Sequence, residues 1–262
     1  MALNRNVWTA DAATIKTQTA YCNVALQGTI NATTRVLTAV AQVYYTASSP
    51  TGAANRINIM LLEDSVIGPQ HNYGASSFGP NYYNYANYNA DGTYNHNHVL
   101  RKAITGATGQ AIPVSSVGTT YTTMVSYTIP QTYGATGKTN PCSLGNLHLV
   151  AYVTETDVET INGAHGPITL TNFAQTTDAV ASSLTSEDAV CAATELNPSV
   201  KLYNNGATAI TSAVISYAVN NGTPSIFNWS GNINSQTYSH PIDLPTINFI
   251  PVTSGSNSLV VN

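Results

Sequence analysis

Charge is the scarcest property of this 262-residue chain. Only 8% of its residues are Asp, Glu, Lys or Arg, against roughly 25% in an average soluble domain. Eight Lys and Arg against 12 Asp and Glu leave a formal net charge of -4. No basic stripe exists to neutralise phosphates, so nucleic acid is excluded as a partner, and an anionic membrane surface is disfavoured for the same reason. Long apolar runs are also missing. None approaches the roughly 18 residues that cross a bilayer as a helix. Cysteine is rare, and Cys22, Cys142 and Cys191 are too dispersed for a zinc ribbon or a CxxC redox pair. Three thiols cannot all pair within one chain, so they read as buried thiols with at most one disulfide, of unassigned pairing. No Gly-x-Ser-x-Gly elbow, phosphate loop or dinucleotide fingerprint occurs. Ser, His and Asp are all present, but nothing places them together, so a hydrolase has no support.

What is abundant is neutral and polar. The chain holds 36 Thr, 28 Asn, 18 Gly and 16 Tyr, with 43% hydrophobic residues. Thr, Tyr, Val and Ile favour strands, and Asn and Gly favour turns. The composition predicts an all-β protein with a core and an amide- and hydroxyl-covered surface. Such a surface repels copies of itself only weakly, which makes self-association plausible.

Alternation places the strands. Residues 20–31 and 35–46 form a hairpin across Asn31-Ala32-Thr33-Thr34, with Gly28 near the end of its first strand. Residues 56–63 follow, with Ile57, Ile59 and Leu61 on one face and Asn58 and Met60 on the other. Further strands are expected at 98–104, 121–129 and 146–154, the last setting Leu147, Leu149, Ala151 and Val153 against His148, Val150 and Tyr152. Residues 171–197 read as a polar connection, with a short helix candidate around Thr185–Ala193 capped by Ser186. A second series covers 199–203, 210–219, 226–230, 236–244 and 258–261, punctuated by Asn205-Gly206 and Asn221-Gly222 turns. The domain expectation is 1–175, a linker over 176–195, and 196–262.

Three blocks carry a family resemblance. They are Arg56-Ile57-Asn58-Ile59-Met60-Leu61-Leu62-Glu63-Asp64 leading to Gly68-Pro69-Gln70, then Tyr94-Asn95-His96-Asn97-His98-Val99-Leu100-Arg101, then Asn146-Leu147-His148-Leu149-Val150-Ala151-Tyr152-Val153. Over residues 1–165 the chain resembles the twenty-eight-kilodalton outer-membrane-protein-related family of Bacteroidota. The resemblance implies an exported surface protein or lipoprotein, with no catalytic activity to carry over. Family members often carry an upstream thioredoxin-like domain. Met1-Ala2-Leu3-Asn4-Arg5 has no apolar signal segment, so Met1 is expected to begin a piece of a longer exported protein. The C-terminal part, from Val200-Lys201-Leu202-Tyr203-Asn204-Asn205-Gly206 to Trp229-Ser230-Gly231, resembles a cell-adhesion-related Ig-like domain with a buried Trp.

Two clusters of chemistry stand out. His96-x-His98 on a strand would share a face and could ligate one metal ion, with His71, His148, Glu63 or Asp64 as third ligand; the alternative is a purely structural pair. Glu63 and Asp64 point to opposite faces, so they form no acid pair, and a solvated strand end is expected there. Glu155, Asp157 and Glu159 read as a charged strand end that discourages unwanted pairing, with Ca²⁺ as the alternative. The tyrosine-rich stretch over residues 68–97 holds Tyr73, Tyr82, Tyr83, Tyr85, Tyr88 and Tyr94, flat rings suited to an interface or a ligand. No cofactor is expected. The resulting expectation is a jelly-roll-like β-sandwich followed by a smaller Ig-like β-sandwich, in a non-enzymatic cell-surface protein. It would polymerise through strand edges, among them Ser258–Val261, and the tyrosine loop. A monomeric module binding a glycan or a host protein is the alternative.

Overall fold

The computed structural model describes residues 8–49, 54–69, 89, 93–135, 139–155, 159–186, 195–249 and 258–262. Two compact units divide the chain. The first takes Met1–Thr29, Leu37–Ile129 and Leu147–Thr169; the second takes Ile30–Val36, Pro130–Asn146 and Leu170–Asn262. The fold is all-β, as the composition predicts, with one α-helix, α1 (Trp8–Ile15), among the described residues. That helix was not expected. Ala10, Ala12 and Ala13 supply the helix propensity there, and Lys16 N closes the last turn on Ala12 O at 3.0 Å. The helix expected around Thr185–Ala193 lies mostly outside the described residues, and Thr185 itself ends a strand.

The first unit is a β-sandwich. Its strands are β1 (Cys22–Asn31), β2 (Val36–Tyr45), β3 (Asn55–Glu63), β4 (Val66–Gly68), β5 (Tyr94–His96), β6 (Val99–Ala103), β7 (Gln110–Ala111) and β8 (Thr120–Thr128). After the short β9 (Thr132–Tyr133) and β10 (Asn140–Pro141) of the second unit, β11 (Leu147–Glu155), β12 (Glu159–Gly166) and β13 (Ile168–Thr171) complete it. One sheet runs β13-β1-β2-β8. The other runs β12-β11-β3-β6, with β7 also on β3. Leu37, Ala39, Ala41, Val43 and Tyr45 of one sheet and Ile57, Ile59, Leu61, Leu149, Ala151 and Val153 of the other are all buried. This is the period-2 pattern of a half-buried sheet. Gly28 lies inside β1 instead of ending it, because a Cβ there would stand 2.6 Å from Leu149 Cδ1. Its missing side chain lets the sheets approach.

Glu63 corrects the expectation of a solvated strand end. It lies on the core face of β3, 2% exposed, and accepts a 2.6 Å hydrogen bond from Arg101 Nε. The side chains are 3% and 7% exposed. A bulge makes the pair possible: Leu61 faces Lys102 and Leu62 faces Leu100, so Arg101 is the extra residue of β6. Glu155, expected as part of a solvated acidic edge, is likewise buried and accepts from Ser49 Oγ at 2.7 Å. Asp157 lies outside the described residues. Cys22 and Cys142 are buried in different units, and burial pushes the Cys22 thiol up to about 11. Cys191 lies outside the described residues.

The second unit has two small sheets around one core. β14 (Ala179–Thr185), β16 (Ser199–Asn204) and β19 (Ile242–Asp243) form one; β18 (Ser225–Ile233), β17 (Ile210–Val219) and β21 (Leu259–Val261) form the other. β15 (Glu195–Leu196) pairs β20 (Ile247–Asn248). Val200, Leu202, Ile210, Ile215, Tyr217, Val219 and Ile233 make its core. Within the stretch expected as a linker, Ala179–Thr185 pairs antiparallel with β16. Trp229, expected to be buried, packs only partly buried against this core. The Asn-rich turns fold as their chemistry requires. Asn220 and Asn221 both take left-handed φ (52° and 55°), and Gly222 N returns to Val219 O at 2.9 Å, the backbone of a type I′ turn. At Gly206 a Cβ would stand 2.7 Å from Asp178 N and Thr176 O. The terminal strand is the outer strand of its sheet. β21 pairs with β17 of its own chain, and Ser216 and Asn262 exchange backbone hydrogen bonds of 2.8 and 2.7 Å.

Removing one partner of a buried ion pair costs about 3–5 kcal/mol, while an apolar pair of similar volume can be neutral. Arg101→Met should therefore lower the urea midpoint sharply, and Glu63→Leu with Arg101→Met should recover most of the loss. Equal destabilisation by single and double variants would show that the pair is not what the bulge is built for.

Candidate functional site

The histidine cluster grows out of a kink in a two-stranded ribbon. β3 and β6 run on into β4 and β5 in one register: Glu63 faces Val99, and Val66 faces His96. Between these pairs Ser65 and His98 both take φ 57°. Left-handed backbone at residues other than glycine is costly and needs local support. Here the support is reciprocal. Ser65 N donates to Asn97 Oδ1 at 2.9 Å, and His98 N donates to Asp64 Oδ1 at 2.7 Å. Each Asx side chain satisfies the left-handed residue of the opposite strand.

The kink separates the two sequence-predicted histidines. His96 ends β5, and its ring stands edge-on to Tyr94 at 5.0 Å between centroids. His98 comes after the turn, so the two are not neighbours on one strand face. His98 instead meets Asp64 and His148. Its Nδ1 lies 3.8 Å from Asp64 Oδ1, and His148 Nδ1 lies 3.6 Å from Asp64 Oδ2. One ligand atom from each of Asp64, His98 and His148 lies within 4.8 Å of the other two. His148 stands opposite Leu62 on β11, on the face away from the core. Its ring is T-shaped to His98 at 5.3 Å and tilted against His165 at 5.2 Å. Side-chain exposure runs from 12% at His148 through 41% at Asp64 to 74% at His98, so the cluster is anchored at one end and open at the other. Glu63 faces the core and stays apart from it. His71, Tyr73, Tyr82, Tyr83, Tyr85 and Tyr88 lie outside the described residues. His165 was not anticipated; it pairs with Val150, which lies two residues along β11 from His148 and so on the same face.

The second unit holds a cleft of about 310 Å³, lined by Arg35, Gln131, Ser182, Tyr203, Asn205 and Tyr238 among others. Arg35 closes the β1–β2 turn with φ 57°, and its guanidinium donates to Pro130 O at 2.9 Å and Cys142 O at 3.1 Å. The Tyr203 and Tyr238 rings lie 4.5 Å apart, tilted 38°. Tyr203 Oη donates to Gln236 Oε1 at 2.7 Å. Burial pushes the Tyr203 hydroxyl up to about 12, although the neighbouring Arg35 opposes the shift. Flat rings beside amides, a hydroxyl and a guanidinium are chemistry suited to a neutral polar ligand. No local motif marked this cleft, since its residues come from segments more than a hundred positions apart.

The class of protein is thus an all-β one, and among the described residues no helix is long and apolar enough to cross a membrane. The chain belongs to the outer membrane protein Omp28 family, whose model matches residues 2–169. That stretch contains Asp64, His98, His148 and His165. No curated protein matches the chain. Among solved structures, it is similar to red sea bream transglutaminase at 8% identity and a TM-score of 0.29, with 100% of this chain and 32% of that one covered. It is also similar to a biofilm associated protein B domain (10% identity, TM-score 0.28, 75% and 54% covered). A partial N-terminal region of an enterococcal surface protein matches at 8% identity and a TM-score of 0.28, with 93% and 77% covered. The chain thus spans about a third and about half of the first two structures.

The raised Tyr203 value carries a pH signature. An acidic hydroxyl that titrates near 10 in the unfolded chain and near 12 when folded adds stability that is complete below pH 10. That contribution is lost as pH rises through 12. The stability difference between the wild type and Tyr203→Phe, from urea unfolding, should shrink across this window. A difference constant from pH 9 to 12 would show that Tyr203 ionises as freely folded as unfolded.

Proposed function

We propose that this chain is a non-enzymatic cell-surface protein that acts structurally, joining copies of itself by strand-edge addition. One observation carries the reading. β14 is the outer strand of its sheet, and all seven of its residues are exposed. It contains no charge and no proline, which are the usual protections of an open edge. A single bulge around Ser182 is its only such device. Val180 and Leu184 stand 42% and 40% exposed on it. A second edge can add main-chain hydrogen bonds there while side chains in alternate positions set the register. Weak charge across the chain leaves little repulsion to oppose this approach. The tyrosine-rich stretch remains part of the proposal as a second contact.

Ala181→Lys with Leu184→Lys puts two like charges on this exposed edge, where folding should tolerate them. Light scattering and negative-stain microscopy should show ordered assemblies of the wild type and monomers of the variant, with unchanged melting. Assembly surviving in the charged variant, or a wild type that stays monomeric at all concentrations, would overturn the reading.

The Tyr203–Tyr238 cleft favours a second reading, a monomeric module that binds a neutral glycan by ring stacking. It expects saturable binding of a neutral oligosaccharide in a glycan screen. Tyr238→Ala should abolish that binding without changing the sedimentation of the protein.

A further inference from the structure

We propose that Asp64, His98 and His148 form a binding site for a single Zn²⁺ ion. The argument is first one of distance. In a tetrahedral zinc site with bonds of about 2.0–2.2 Å to nitrogen and oxygen, neighbouring ligand atoms stand about 3.3–3.5 Å apart. The carboxylate oxygens of Asp64 lie 3.6 and 3.8 Å from the two imidazole nitrogens. The three ligand atoms lie within 4.8 Å of one another. Closing on an ion therefore needs a small turn of His98, the most exposed of the three.

The second argument is chemical. Two imidazoles and one carboxylate form a borderline donor set that suits Zn²⁺ and is a poor one for Ca²⁺ or Mg²⁺, which take mostly oxygen. Three ligands with the fourth side toward solvent leave a position for water or for a donor from outside the chain.

The third argument is support around the ligands, which metal sites need to hold their geometry. The His98 backbone N–H fixes Asp64 Oδ1 at 2.7 Å. The His148 ring also packs against two others, His98 at 5.3 Å and His165 at 5.2 Å between centroids. His165 is a positioning residue here, not a ligand. Each ligand stands on a different segment: the end of β3, the start of β6 and β11. One ion would therefore clip three strands of the sheet together.

The test is titration of the full chain with Zn²⁺ against a chromophoric chelator, followed by Co²⁺ substitution read by visible absorption. The expected result is one ion per chain, the intense bands of four-coordinate Co²⁺, and a melting temperature that rises with Zn²⁺. His98→Ala, which removes an exposed imidazole and keeps the backbone N–H that donates to Asp64, should weaken Zn²⁺ binding at least about tenfold. Asp64→Asn keeps the acceptor for His98 N–H, so it tests the charge without releasing the kink, and it should weaken binding similarly. His165→Ala should keep the stoichiometry while lowering affinity less than His98→Ala. Absence of stoichiometric binding by the wild type overturns the site. So does Zn²⁺ affinity unchanged in both His98→Ala and Asp64→Asn, the outcome expected if the cluster only holds the ribbon kink.

Discussion

The nine-residue antiparallel register between β3 and β11 is the constraint on which the first unit depends. It pairs Leu147 with Glu63 and runs to Glu155 with Asn55 without a break. Because side chains alternate, a slip of one residue on either strand would turn its whole buried set to solvent. Ile57, Ile59 and Leu61, all 0% exposed, and Leu149, Ala151 and Val153, also 0% exposed, oppose that slip. Burial of six apolar side chains therefore decides which way His148 and Asp64 face. The histidine cluster is a consequence of core packing, made on the opposite side of the same strands.

Scarcity of charge shapes what fills the polar positions inside. A buried charge needs a partner, because removing an ion from water costs more than most contacts return. This chain mostly meets buried polar demands with amides and hydroxyls. Tyr45 Oη donates to Asn55 Oδ1 at 2.9 Å, and Asn55 Nδ2 reaches Tyr21 Oη at 3.1 Å. In the second unit Asn204, fully buried, donates from Nδ2 to Thr208 O and Ile233 O, while Gln236 Nε2 donates to Asn205 O. An amide offers donors and acceptors together and carries no Born penalty, so it can bridge backbone groups that a carboxylate could only half satisfy. Two buried carboxylates depart from this: Glu63 pairs with Arg101 where a bulge supplies the arginine, and Glu155 accepts from Ser49 Oγ. The same economy leaves the outer strands β8, β13 and β14 without any charged residue, the feature on which the proposed strand-edge addition rests.

Much of the fold was legible because period-2 alternation is local. β1, β2, β3, β8, β11 and β17 lie within a residue or two of their expected bounds. What was not legible depends on partners far away in sequence. Ala179–Thr185 reads as a polar connection, since Ser, Thr and Ala carry little strand signal, and only β16 makes it a strand. Glu63 reads as a strand end until the bulge on β6 places Arg101 beside it. His96 and His98 read as one face of one strand until the left-handed φ of His98 is known. Histidine tolerates that region better than most residues, but nothing adjacent demands it. The demand comes from Asp64, more than thirty positions earlier. The cleft of Arg35, Tyr203 and Tyr238 left no trace at all, because no spacing joins its residues.

Asp64 shows how fold and chemistry share one group. One carboxylate oxygen accepts from His98 N–H and so stabilises the left-handed residue that turns the His98 ring toward it. The same carboxylate faces both imidazole nitrogens. On the opposite strand Asn97 does the equivalent backbone task for Ser65 with a neutral amide. The backbone task alone is thus performed by an amide in the same ribbon. A carboxylate at position 64 adds what the amide cannot supply, a negative charge facing two imidazoles. The asymmetry of an otherwise reciprocal kink is therefore a physical reason to read the Asp64–His98–His148 face as built for a cation and not merely for a turn.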